Sequence, residues 1–171
     1  MKGYIQIYTG NGKGKTTAAF GLALRAVGAG KKVFFAQFAK GQIYAEVKAI
    51  RQFIPSVEIR QYGLSSFIHN TPTQADIEAA RTGFREVADI IISRKYDIVV
   101  LDEANIAIYY GLFTSNELIE VLHQKPDETE IILTGRYAAP ELIEIADLVT
   151  EMQEVKHYYT KGVHARPGIE C

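Results

Sequence analysis

The stretch Tyr4-Ile5-Gln6-Ile7-Tyr8, continued by Thr9-Gly10-Asn11-Gly12-Lys13-Gly14-Lys15-Thr16-Thr17, decides how this chain is read. Alternating apolar residues lead into it, and a helix-favouring run, Ala18-Ala19-Phe20-Gly21-Leu22-Ala23-Leu24, leads out. Strand, glycine-rich turn, Gly-Lys-Thr and helix, in that order, are the layout of a phosphate-binding loop. Glycines let backbone N–H groups converge on an anion; the helix N-terminus adds partial positive charge and Lys15 a full one. The Thr16 hydroxyl can then hold Mg²⁺. The strict pattern is Gly, four residues, Gly-Lys-Ser/Thr. Ending it on Gly14-Lys15-Thr16 puts Thr9 where its first glycine belongs, so the loop is a variant, with an extra lysine at Lys13. A plain glycine turn with solvated lysines is the competing reading, and the flanking strand and helix argue against it.

A second anchor lies downstream. Ile98-Val99-Val100-Leu101-Asp102-Glu103 reads as a buried strand ending in two carboxylates. Alone it is equally a strand followed by a solvated acidic turn. With a phosphate loop upstream it reads as a Walker B element, whose carboxylate holds Mg²⁺ directly or through water. Thr134-Gly135-Arg136 closes another expected strand. Arg136 is suited to bidentate contact with a phosphate or carboxylate, and equally to an exposed turn. Arg25 lies about two and a half turns after Thr16 on the first helix, where it either faces nucleotide or forms a surface ion pair.

The chain has 171 residues, 47% of them apolar, and is expected to form one domain over 1–171. The formal net charge of −1 supplies no global basic field for nucleic acid or membrane. The single cysteine, Cys171, excludes an internal disulfide and a cysteine-based zinc site. The four histidines, His69, His123, His157 and His164, lack metal-ligand spacing. No run of about 18 apolar residues is present to span a membrane, and no signal-peptide pattern opens the chain. A soluble cytoplasmic protein, binding neither nucleic acid nor membrane, is the expectation.

Strands are expected at Tyr4–Tyr8, Val33–Phe38, Val57–Ile59, Ile98–Leu101, Ile131–Thr134 and Leu148–Met152. Several are β-branched and nearly continuous, as in strands covered on both faces. Helical segments lie between them. Thr71-Pro72-Thr73-Gln74 reads as a cap with Pro at N1 and Gln at N3. Its helix would carry Ile77, Ala80, Phe84, Val87 and Ile91 on one face. Thr114-Ser115-Asn116-Glu117 reads as a second capping box, and Pro140 marks a short helix over Glu141–Ala146. The order predicts an α/β protein, a RecA-like P-loop NTPase fold of three layers with a mostly parallel sheet. Right-handed crossovers then put the glycine loop at the carboxyl edge of that sheet. Two stretches, Gln61–Asn70 and Val155–Cys171, lack a clean period, and long irregular segments in compact domains are often functional. Tyr109-Tyr110, Tyr158-Tyr159, Tyr62 and Phe67 offer rings to a flat ligand, although most aromatics are simply core.

Taken together, these residues resemble the ATP:corrinoid adenosyltransferases of the bacterial P-loop type. The resemblance begins with Thr9–Thr17, Ala18-Ala19-Phe20-Gly21 and Arg25-Ala26-Val27-Gly28. It continues through Gln37-Phe38-Ala39-Lys40-Gly41, Val100-Leu101-Asp102-Glu103, Ile132-Leu133-Thr134-Gly135-Arg136 and Ala146-Asp147-Leu148-Val149-Thr150-Glu151. It closes with Val155-Lys156-His157 and Gly162-Val163-His164-Ala165-Arg166-Pro167-Gly168-Ile169-Glu170. It implies transfer of the 5′-deoxyadenosyl group of ATP to the cobalt of a reduced corrinoid, with release of triphosphate, in cobalamin biosynthesis or salvage. It also implies Mg²⁺, a homodimer and a flavoprotein electron donor. Carried over by position, Gly10, Asn11, Gly12, Lys13, Gly14, Lys15, Thr16 and Thr17 would cradle nucleotide, joined by Arg25. Lys15, Thr16 and Glu103 would be the catalytic group, with Thr16, Glu103 and Asp102 as the metal site. Family members often carry a Gly-x-Gly-Phe-x-Trp type segment beneath the corrin. The matching region here is Gly63-Leu64-Ser65-Ser66-Phe67 and the chain has no tryptophan, so Phe67 is the candidate lower-face aromatic.

The residue chemistry suits that reaction. Cobalt(I) is itself a strong nucleophile and needs no protein base, which matches a sequence without a triad. Three alternatives remain at this level. A RecA-like ATPase working on nucleic acid or a protein partner shares the loop and acidic strand end, but no basic stripe supports it. A non-catalytic regulator sits poorly with an intact Lys15, Thr16 and Glu103. A small-molecule kinase would need an arginine-bearing lid that is not evident.

Overall fold

The computed structural model describes residues 2–39, 41–64, 68 and 71–170. Six strands form one sheet: β1 (Ile5–Thr9), β2 (Val33–Phe38), β3 (Val57–Tyr62), β4 (Ile98–Asp102), β5 (Glu130–Thr134) and β6 (Leu148–Glu151). Their order is β3-β2-β4-β5-β1-β6, and every pairing is parallel. The helices between them are α1 (Lys15–Gly28), α2 (Ala45–Phe53), α3 (Gln74–Ile92), α4 (Ala104–Tyr109), α5 (Ser115–Leu122) and α6 (Pro140–Ile145).

Strand alternation sorts the core into two layers. Phe34, Phe38, Val99, Leu101, Ile131 and Leu133 face one way and meet α3, α4, α5 and α6 through Phe84, Val87, Ile91, Ala107, Leu118 and Leu142. Val33, Phe35, Ile98, Val100 and Ile132 face the other way and meet α1 and α2 through Ala19, Ala23, Ala26, Val47 and Ile50. Small residues on α1 let that helix lie close to the sheet. The ring of Phe20 on α1 stacks flat on Phe35, with centroids 4.1 Å apart. On the opposite layer Phe113 takes Phe84 at 4.7 Å and Phe38 at 5.2 Å. This is the three-layer α/β arrangement expected from the strand and helix order, with a sheet that is wholly rather than mostly parallel.

Two expectations need correction. The helix after Thr71 starts two residues later than its sequence suggested. Thr73, not Thr71, is the N-cap: its hydroxyl accepts from the Asp76 N–H at 3.2 Å, and the Asp76 carboxylate accepts from the Thr73 N–H at 2.8 Å. Asp76 at N3 completes the reciprocal box with Thr73, so Pro72 stands outside the helix. Gln61 and Tyr62, assigned to an irregular stretch, are instead the last residues of β3, paired with Gln37 and Phe38. The second box is as read: Thr114 and Glu117 cap α5 reciprocally.

Candidate active site

β1 and β4 carry the two chemistry-bearing motifs, and β5 lies between them. Parallel pairing brings their carboxyl ends to one edge, with Tyr8 opposite Thr134. The glycine loop leaves β1 there and turns into α1. Gly10 and Gly14 hold φ of +93° and +127°, a region costly for any side chain. The loop is also braced from the other end of the chain. The Gly12 N–H donates to the Met152 carbonyl, just past β6, at 2.6 Å.

Lys15 is buried, and its ammonium donates to the carbonyls of Gly10 at 2.7 Å and Gly12 at 2.8 Å. Those bonds draw the loop around the lysine head. A polyphosphate entering the loop meets that positive charge at once. Thr16 opens the helix, and its hydroxyl donates to Asp102 Oδ1 at 2.8 Å. The Thr134 hydroxyl donates to the same oxygen at 2.7 Å, and Gln37 Nε2 donates to Oδ2 at 3.1 Å. Asp102 is fully buried, with both oxygens engaged. Its hold on the Thr16 proton turns the lone pairs of that hydroxyl away from the carboxylate.

Glu103 differs from its neighbour. It adopts a left-handed backbone, φ +58°, as the N-cap of α4. Its N–H donates to Thr134 Oγ1 at 3.0 Å. Thr134 therefore fixes both carboxylate residues, accepting from one backbone and donating to the other's side chain. The turn reverses the chain direction so that Glu103 lines the cavity while Asp102 stays behind it.

That cavity has a volume of about 870 Å³. Asn11, Gly12, Lys13, Gly14, Lys15, Thr16 and Thr17 form one wall. Glu103, Ile106, Tyr110 and Arg136 form another, and Phe20, Tyr44 and Ile68 contribute apolar surface. Gly168, Ile169 and Glu170 of the tail close part of the rim, where Lys13 donates to the Ile169 carbonyl at 2.8 Å. Tail geometry is fixed by Glu170, which accepts from Arg166 and Tyr158; Arg166 first, then Tyr158, hold its carboxyl down at about 2.

The structure thus brings Asn11 through Thr17, Glu103 and Arg136 together around one space. Gly10 and Asp102 support it from behind. Arg25 is exposed on α1, outside the cavity wall. Phe67 and His69 lie outside the described residues. Sequence reasoning missed Thr134 and Gln37 as partners of Asp102. The Thr-Gly-Arg turn had drawn attention to Arg136, and a register match of Gln37 with Asp102 is legible only once β2 is seen beside β4.

The donors fit Mg²⁺, which keeps several waters and takes few protein oxygens beside substrate phosphates. Thr16 and Glu103 supply such oxygens at the cavity wall. No cluster of three or more His, Cys, Asp or Glu exists among the described residues; a phosphate-bridged ion does not need one.

A model of the family described as ATP:corrinoid adenosyltransferase BtuR/CobO/CobP matches residues 1–171. Among similar proteins, a corrinoid adenosyltransferase of Pseudomonas aeruginosa is 35% identical over 99% of this chain and 84% of its own length. One from Escherichia coli (strain K12) is 35% identical over 99% of this chain and 86% of its own. The corrinoid adenosyltransferase CobA of Salmonella typhimurium is 37% identical, with the same two coverages of 99% and 86%.

Proposed function

The chain belongs to the ATP:corrinoid adenosyltransferase family, and from that premise we propose how its residues carry the reaction. The substrates are ATP and a reduced corrinoid. The cobalt(I) electron pair attacks C5′ of the ribose. A cobalt–carbon bond forms, the C5′–oxygen bond breaks, and that bond's electrons leave with triphosphate.

The protein's task is to hold C5′ in line and to stabilise charge growing on the departing triphosphate. The loop from Asn11 to Thr17 wraps the polyphosphate at a helix N-terminus, while the Gly12 N–H stays on the Met152 carbonyl. Lys15 moves its ammonium from the Gly10 and Gly12 carbonyls toward the phosphate oxygens. Lys13 adds charge at the rim. Thr16 and Glu103 would hold Mg²⁺, which would add positive charge beside the phosphates. Asp102 orients Thr16 rather than binding the ion itself. The apolar wall beyond Glu103 excludes water from the cobalt nucleophile.

A homodimer, a cytoplasmic setting and a flavoprotein electron donor complete the proposal; the first is checked by sedimentation. No helix among the described residues is long and apolar enough to cross a membrane. The observation that carries the reading is Lys15, Thr16 and Glu103 facing one cavity at the carboxyl edge of the sheet. The test mixes protein, Mg·ATP and chemically reduced corrinoid. A photolabile cobalt–carbon product with triphosphate is expected; ADP and orthophosphate as sole products would refute it. In the same assay Lys15→Ala should lower kcat/KM by about 10²–10³-fold, as for loss of one preorganised donor.

A further inference from the structure

The face of the sheet that meets α1 changes character at its last rung. On that face β3, β2 and β4 bring into register Val57, Val33 and Ile98, then Ile59, Phe35 and Val100, then Gln61, Gln37 and Asp102. The first two rungs are wholly apolar and belong to the core. The third is wholly polar, although Gln37 is as fully buried as Asp102. Burying an amide costs free energy that only its hydrogen bonds offset. The bonds that Gln37 makes therefore show what a glutamine does there that another apolar residue would not.

Those bonds form a ladder with one polarity. Gln61 Nε2 donates to the Gln42 carbonyl at 2.8 Å and to Gln37 Oε1 at 3.1 Å. Gln37 Nε2 in turn donates to Asp102 Oδ2 at 3.1 Å. A backbone carbonyl only accepts, so Gln61 turns its NH₂ toward it. Gln37 then presents its oxygen to Gln61 and its NH₂ to the carboxylate. With an amide on Oδ2, Asp102 turns Oδ1 to the hydroxyls of Thr16 and Thr134. Thr16 commits its one hydroxyl proton to that oxygen, so what the hydroxyl presents to the cavity is lone pairs.

Resting on the cation site given under Proposed function, we propose that Gln37 and Gln61 are positioning residues for Mg²⁺. Acting through Asp102, they fix the direction of the Thr16 hydroxyl and so set how much the ion strengthens ATP binding. Neither residue lines the cavity; their influence reaches it through the carboxylate. An apolar side chain at position 37 would continue the core but leave Oδ2 without this donor. Outer partners of this kind change metal affinity by about 10–100-fold when removed.

The test measures ATP binding to the full chain by isothermal titration, once with Mg²⁺ and once with EDTA. No corrinoid is present, so turnover does not enter the readout. The variants are Gln37→Met, Gln61→Met and Gln61→Glu. Methionine matches glutamine in length without its hydrogen bonds. Glutamate at position 61 sets acceptors against acceptors, which reverses the Gln37 amide and turns its oxygen on Asp102. In Gln37→Met the affinity gained from Mg²⁺ should fall about tenfold, while Kd in EDTA stays within about twofold of the parent's. Gln61→Glu should lose more of that gain than Gln61→Met, opposite to the effect of an added negative charge on a nearby cation. Equal rises of Kd with Mg²⁺ and with EDTA would make the ladder a packing feature and overturn the proposal. Gln61→Met losing more than Gln61→Glu would overturn it too. If Gln37→Met does not fold, the two substitutions at the half-buried Gln61 decide. A parent whose ATP affinity ignores Mg²⁺ would refute the cation site and the ladder's role with it. A responsive parent beside equally responsive variants would refute the ladder's role alone.

Discussion

A methyl group on Gly12 would lie 2.7 Å from the Met152 carbonyl oxygen and 2.8 Å from that of Gln153. Both obstacles are backbone and cannot swing aside. Gly12→Ala should therefore push the phosphate loop off the end of β6 and weaken Mg·ATP binding by tenfold or more, roughly the cost of overpacking by 1–3 kcal/mol. Isothermal titration with ATP checks it; affinity equal to the parent's would show the loop accommodates the change. Gly83 on α3 is similarly tight, its added methyl lying 2.2 Å from Cγ of Tyr62. Gly83→Ala should lower stability by about 1–3 kcal/mol without touching the nucleotide site, read as a lower denaturation midpoint with unchanged ATP affinity. At this scale the sequence was informative where spacing dictates chemistry. Lys15, Thr16 and Glu103 were legible because Gly-Lys-Thr and a strand-end acid are local patterns. The placement of Asp102 behind the cavity and Glu103 on its wall was not. It depends on the left-handed turn at Glu103 and on Thr134, a residue 32 positions after Asp102 that only the sheet brings near.

Among the elements, α5 shows how a local signal becomes stability. Thr114 and Glu117 exchange bonds across its first turn, and Arg81 of α3 joins from outside. Thr114→Ala should cost about 1 kcal/mol, the usual loss for an N-cap, measured by thermal or denaturant unfolding. The Glu117 carboxyl is held below its ordinary value of 4.5 by the Thr114 N–H, then by the Thr114 hydroxyl and by Arg81. Because the folded value is the lower one, its contribution is complete above the unfolded value and fades as pH falls through the folded one. The group is partly exposed, so the effect stays at about 1 kcal/mol or less. The gap in melting temperature between parent and Glu117→Gln should be open at pH 7 and close as the solution is acidified below pH 4.5. A gap independent of pH would mean the carboxylate charge does not matter. Element types were largely legible from periodicity and caps. The misplaced start of α3 shows the limit: Thr71 and Thr73 each stand three residues before a side chain able to complete a box, and the structure uses Thr73 with Asp76. The extension of β3 through Tyr62 was hidden because Gln61 and Tyr62 gain their order from β2, not from their own neighbours in sequence.

For the molecule as a whole, strands alternating with helices were enough to predict a parallel sheet in three layers, since parallel strands need crossovers and those crossovers cover both faces. Strand order was not legible. It is set by which apolar faces fit, and it inserts β5 between the two functional strands. The edges differ in character. β3 carries Glu58 and Arg60, paired with each other, and Arg60 also pairs with Glu86, charges that discourage further strand addition. Tyr62 at the end of β3 has its hydroxyl pushed up to about 12, chiefly by burial, so it keeps its proton and its bond to Glu86 across the whole physiological range. β6 is exposed along its length, Leu148 and Val149 included.

The pairing of β1 also sets an order of events. Ile5 lies beside Ile131, Gln6 beside Leu148, and Gly12 leans on Met152. β1 and its loop are thus framed by partners far downstream of them in the sequence, and contacts of such long separation are slow to close. On the ribosome the anion nest stays unassembled until β5 and β6 have emerged, so nascent chains that end before β5 should not sequester ATP. Interrupted refolding in the presence of a fluorescent ATP analogue tests this: the binding signal should rise with the final kinetic phase, and a signal preceding it would show that the nest matures on its own.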